Sequence, residues 1–115
     1  MVPEEEKLVV IWSSGDREVA LKMAFLYTLN SKLNGWWDDI TFVVWGPSAS
    51  LLAQDYELQE QIFRMKENGI KLQACKVCSD MYGVSGKLEA MGIDIILMGT
   101  PLTDYLKQGR KIITF

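Results

Sequence analysis

Histidine is absent from this 115-residue chain. That absence removes imidazole acid-base catalysis, Ser-His and Cys-His nucleophile pairs, and every His-containing metal site. Cysteine is scarce: the chain has two, Cys75 and Cys78. Two thiolates cannot complete a tetrahedral zinc site within one subunit, which leaves open only a metal or cluster shared between subunits; no metal or cofactor is expected. Basic clusters are missing as well. The 12 bases and 15 acids are dispersed and leave a net charge of -3, which excludes a phosphate-tracking surface and a nucleic-acid partner. The longest charge-free window, 40–54, is interrupted by Gly46-Pro47, so no membrane span is expected. Three glutamates, Glu4 to Glu6, stand where a signal peptide would carry its basic region, and the expectation is a cytoplasmic protein.

Phosphate chemistry also lacks its residues. After the first strand-like run the chain offers Ser14-Gly15-Asp16 rather than Gly-Lys-Ser/Thr, and no G-x-G-x-x-G occurs. Small cysteine phosphatases need an arginine soon after the nucleophile, and none lies between Cys75 and Lys87. A two-component receiver would end its third strand on an aspartate. Here that position is Cys75.

What is present is a chain 49% apolar, enough for one core, and a single domain over residues 1–115 is expected. Lys7 to Ser13 is a continuous run rich in valine and isoleucine, the mark of a strand buried on both faces. Further strands are predicted at Asp39 to Trp45, Ile70 to Ala74, Ile93 to Met98 and Lys111 to Phe115. Helices are predicted between them, the first to about Leu33 and the second from Ser48 to about Glu67. Glycines at 35, 69, 92 and 109 punctuate the returns from helix to strand. Tyr82-Gly83 predicts a break between two short helices, with Ser85 capping the second, and Thr100 with Pro101 predicts the start of the last one. The alternation predicts a three-layer α/β/α sandwich with a five-stranded, mostly parallel sheet and helices on both faces, flavodoxin-like in general layout. It leaves the strand order open.

Two features point outward. The first helix is apolar on more than one side, with Val19, Ala20, Met23, Phe25, Leu26, Tyr27 and Leu29, and so predicts a second buried surface against another subunit. Trp36 and Trp37 cannot both face one sheet, which places one of them in an interface or partly in water.

In open α/β sheets, ligands gather beyond the carboxyl ends of the strands. Ser13, Ser14, Gly46, Ser48, Cys75, Cys78, Ser79, Gly99 and Thr100 are therefore expected along one rim. The cysteines carry the chemistry and the others are candidate ligand contacts, although turns use the same small residues for steric reasons. A thiol where a strand gives way to a helix meets unpaired amides and the positive end of the helix dipole, which favour thiolate.

The segment Leu72-Gln73-Ala74-Cys75, then Gly83-Val84, Met98-Gly99 and Leu102-Thr103-Asp104-Tyr105-Leu106, resembles the DsrE/DsrF family of sulfur-relay proteins, from Lys7 to Phe115. The resemblance implies a DsrEFH-like α/β subunit that forms homotrimers, homohexamers or mixed complexes. It also implies a single relay cysteine at the end of the third strand, matching Cys75, that carries persulfide sulfur between donor and acceptor proteins. Cys78 has no counterpart in that pattern.

On this reading the protein is a sulfurtransferase-like persulfide carrier, with Cys75 the carrier and Cys78 a resolving thiol. Cys75→Ser is expected to abolish sulfur loading and Cys78→Ser is not. The carrier thiol should react well below about pH 8. Two alternatives stand beside it: a non-catalytic oligomeric subunit that binds a small ligand or serves assembly, and a thiol/disulfide redox switch.

Overall fold

β1 (Lys7–Trp12) forms where sequence reading placed it, since a branched apolar run suits an extended strand covered on both sides. The computed structural model describes residues 2–115. After β1, Asp16 caps α1 (Arg17–Val19) by accepting the amides of Glu18 and Val19. The helix then passes through a π-helical turn (Ala20–Ala24) into α2 (Phe25–Leu33). β2 (Asp39–Val44), α3 (Ser48–Gln54), α4 (Tyr56–Glu67), β3 (Lys71–Cys75), α5 (Lys76–Tyr82), α6 (Ser85–Ala90), β4 (Asp94–Ile96), α7 (Gly99–Lys107) and β5 (Lys111–Thr114) follow in order.

Among the described residues the five strands form one sheet, every pair parallel, in the order β4-β3-β2-β1-β5. Four successive strands are neighbours, and right-handed crossovers then keep the helices between them on a single face. Only the step from β4 to β5 crosses the whole sheet, and it carries α7 over the opposite face. The two cores reflect that division. The larger one joins Leu8, Val10 and Trp12 to Phe42 and Val44 and to buried residues of α2, α3, α4 and α6. Its centre is an aromatic trio: Phe25 meets Trp12 and Phe42 edge-on, with ring centroids 4.8 and 5.3 Å apart. The smaller core holds Val9, Ile11, Val43, Cys75, Met98 and Tyr105.

The α/β/α layering is thus present, with a thick layer on one side and one helix on the other. Three local expectations fail. The second predicted helix is two, because Asp55 takes extended angles and accepts the Leu58 amide as the cap of α4. Ser85 does not cap α6; its hydroxyl turns back to the Asp80 carboxylate and Ser79. Thr100 does not cap α7, which already begins at Gly99. The break at Gly83 occurs as predicted, with φ at 72° in the left-handed region that glycine adopts without penalty. No helix among the described residues is long and apolar enough to cross a membrane.

Candidate functional site

The carboxyl ends of β1, β2 and β3 bring most of the predicted rim residues together, but chiefly to join the loops to one another. The Ser48 hydroxyl is fully buried, shares its one proton between the carbonyls of Trp12 at 2.5 Å and Trp45 at 3.0 Å, and accepts the Trp45 amide. Its own amide reaches the Ser13 carbonyl. Ser13 and Ser14 direct their amides, and Ser13 its hydroxyl, to the carbonyl of Phe115. The gap between β1 and β5, where strand order reverses and ligands of such sheets usually sit, is bridged by those bonds. Ser79 is buried and donates to the Lys76 carbonyl, with its oxygen 2.7 Å from that of Ser85. Gly99 and Thr100 are exposed, and the Gly99 carbonyl accepts the Thr103 hydroxyl.

What stays chemically unspent is the thiol pair. Cys75 is the last residue of β3 and immediately precedes α5, at φ -68° and ψ 117°. Its thiol makes no hydrogen bond to the first-turn amides, contrary to the expectation that those amides would receive it. Strand alternation explains the difference: residues 73 and 75 share a face, and that face is the one beneath α7. Cys75 is therefore only 5% exposed, packed with Val9, Ile11, Val43, Met98 and Tyr105. Cys78 follows one helical turn later, half-buried at the margin of the same cluster. Neither cysteine is in a disulfide.

Burial, and next the Cys75 thiol beside it, push the Cys78 pKa above the ordinary thiol value, while the Gly46 N–H pulls the other way. Gly46 thus joins the site through its backbone, held at φ 72° between β2 and α3. Lys76 does not lend its charge to the thiols. Its ammonium pairs with Asp80 at 2.7 Å on the exposed side of α5, and with Ser85 it holds that carboxyl below its usual range. Among the described residues no group of three or more carboxylates and thiols could hold a metal ion.

Gln73 and Tyr105, quoted above only for the family resemblance, were given no part in the site on sequence grounds. The Tyr105 hydroxyl donates to Gln73 Oε1 at 3.0 Å, two positions before Cys75 on the same face. The signal was available: a glutamine inside a buried strand needs a polar partner. Elsewhere, an open depression of about 450 Å³ between α2 and β5 is lined by Met23, Leu26, Tyr27, Trp36, Ile113 and Phe115, with Lys22 and Asn30 at its edge. Trp36 is 54% exposed there, and Trp37 turns inward to donate its indole N–H to the Tyr27 hydroxyl.

No family model and no curated protein sequence matches the chain. Solved structures are. The ychN protein from E. coli superposes with a TM-score of 0.70 at 15% identity, covering 96% of this chain and 99% of that one. MTH1491, a protein of unknown function from Methanobacterium thermoautotrophicum, does so with 0.74 at 20% identity, over 95% and 98%. Both likenesses concern the fold alone. BT1422 from Bacteroides thetaiotaomicron, described as a conserved protein of unknown function, has a TM-score of 0.92 and 38% identity over 96% of this chain and 95% of its own. The chain belongs to the same family as BT1422.

Proposed function

We propose that this protein is a DsrE/DsrF-like sulfur-relay subunit that carries sulfane sulfur as a persulfide on Cys75, with Cys78 as its partner thiol. The observation that carries this reading is the meeting of two reduced thiols, one turn apart, at the carboxyl end of β3, where the surrounding serines are occupied by the fold. With no histidine in the chain, thiol chemistry is the reactive capacity that this rim offers. Transfer between thiols needs no metal or cofactor, only a nucleophilic sulfur and access to it.

The subunit works as a homotrimer or homohexamer and exchanges sulfur with donor and acceptor proteins in the cytoplasm. Exposed Met23, Leu26 and Trp36 beside Ile113 support the self-assembly part of this reading.

Intact mass after exposure to a low-molecular-weight persulfide tests the function. The reduced wild type should gain about 32 Da, removable by a thiol reductant, and the Cys75→Ser/Cys78→Ser double variant should gain nothing. A wild type that stays at its starting mass sinks the proposal.

A further inference from the structure

The two cysteines differ in the property that a relay depends on, which is access. Cys75 is closed in by Val9, Ile11, Val43, Met98 and Tyr105, whereas Cys78 is half-buried with part of its surface in solvent. Cys78 sits on the first turn of α5 and packs against the cluster that holds Cys75. A sulfur donor that reaches this rim meets Cys78 before Cys75. We infer that Cys78 is the port and Cys75 the store: sulfane sulfur is accepted at Cys78 and handed inward to Cys75. This inference rests on the sulfur-relay reading and assigns an order to its two thiols.

The chemistry closes without a redox partner. Deprotonated Cys78 Sγ attacks the terminal sulfur of a donor persulfide, R–S–SH. A bond forms between Cys78 Sγ and that sulfur, the donor S–S bond breaks, and R–S⁻ departs with the proton that Cys78 released. Cys75 Sγ then attacks the same terminal sulfur. Its bond to Cys75 forms, its bond to Cys78 breaks, and the proton from Cys75 passes to the departing Cys78 sulfur. One sulfane sulfur moves twice, and each S–S bond lost is replaced by another. Cys75 among apolar side chains is the sheltered place to keep a persulfide, since oxidation follows exposure. Attack of Cys75 on the inner sulfur would instead close a Cys75–Cys78 disulfide and expel hydrosulfide.

Lys76 lies between the two cysteines, so trypsin separates them into peptides 72–76 and 77–87. Reduced protein is mixed with glutathione persulfide, quenched by alkylation at successive times, digested and mapped. The added sulfur should appear first on peptide 77–87 and then accumulate on 72–76. Cys78→Ser should slow loading of Cys75 by about tenfold or more, because the sheltered thiol must then find the donor itself. Cys75→Ser should load Cys78 at the wild-type rate and hold the sulfur there, in place of the expectation from sequence that this variant takes up no sulfur. The order is overturned if wild-type sulfur reaches 72–76 first, if Cys78→Ser loads Cys75 undiminished, or if a disulfide with hydrosulfide forms in place of the 72–76 adduct. A wild type that takes sulfur on neither peptide overturns the relay reading itself, and that result is distinct from any of these.

Discussion

The Tyr105 hydroxyl donates to Gln73 Oε1 at 3.0 Å across the interface between α7 and β3. Both residues are buried, at 8% and 5% exposure, so neither has bulk water as an alternative partner. The bond is also a fastening: α7 is the one helix over this face of the sheet, and Cys75 lies in the cluster beneath it. Removing the donor leaves a buried acceptor unpaired. Tyr105→Phe should lower unfolding free energy by about 1–3 kcal/mol, read from the urea midpoint. An unchanged midpoint would mean that apolar packing alone holds α7.

Ser48 was a candidate ligand contact on sequence grounds, and its environment predicts something else. Its hydroxyl bonds three backbone groups, the carbonyls of Trp12 and Trp45 and the amide of Trp45, and no part of it reaches solvent. Ser48→Ala should cost about 1–3 kcal/mol of stability and leave persulfide loading unchanged at temperatures where the variant is folded. Thermal unfolding and the mass assay separate the two readouts. A loading defect in a folded variant would return Ser48 to the site.

Much of the fold was legible because strands buried on both faces write continuous branched runs, and each of the five runs became a strand within one or two residues of its expected ends. The exposed Trp36 and inward Trp37 were legible for a similar local reason, since adjacent indoles must diverge. Strand order was not. It depends on the handedness of long connections and on which edge β5 joins, and no local pattern records either. The burial of Cys75 was hidden by the same cause. Alternation puts Cys75 on the face of Gln73, but whether that face is open depends on α7, a helix contributed by residues more than twenty positions away. The cap assigned to Ser85 failed because its hydroxyl is taken by Asp80 and Ser79, and the one assigned to Thr100 because α7 starts a residue earlier, at Gly99.

Arg17 ties α1 to the start of α4, with Nε donating to Asp55 Oδ2 at 2.6 Å and its other arm to Glu57. Burial raises the Asp55 pKa, but Arg17 and the Leu58 amide outweigh it and hold the carboxyl below its ordinary value. A carboxyl depressed in the folded state contributes stability above its unfolded pKa, and that stability is lost as pH falls through the folded value. Because Arg17 stands in solvent, screening keeps the worth of the pair small. Arg17→Gln should therefore lower stability slightly at neutral pH and above, converge on the wild type as Asp55 becomes protonated, and so flatten the acid limb of the profile. Urea midpoints across the acid range check this, and a parallel downward shift at every pH would contradict it.

Cys78 predicts the opposite limb. Burial, and then the neighbouring Cys75 thiol, raise its pKa, so the folded protein holds this proton more tightly than the unfolded chain does. The associated stability is complete below the unfolded thiol value, about 8.5, and is lost as pH rises through the folded one. Reactivity runs the other way. Alkylation of Cys78 should keep rising by about tenfold per pH unit beyond neutrality and level off only above that ordinary value. Cys75→Ser removes one of the two raising causes, so its inflection should fall below that of the wild type. Peptide-resolved iodoacetamide rates across the pH range measure both curves. An inflection near neutrality in the wild type would show that the Gly46 N–H outweighs burial, and the port would then be a thiolate at rest rather than one that gives up its proton on encounter with the donor.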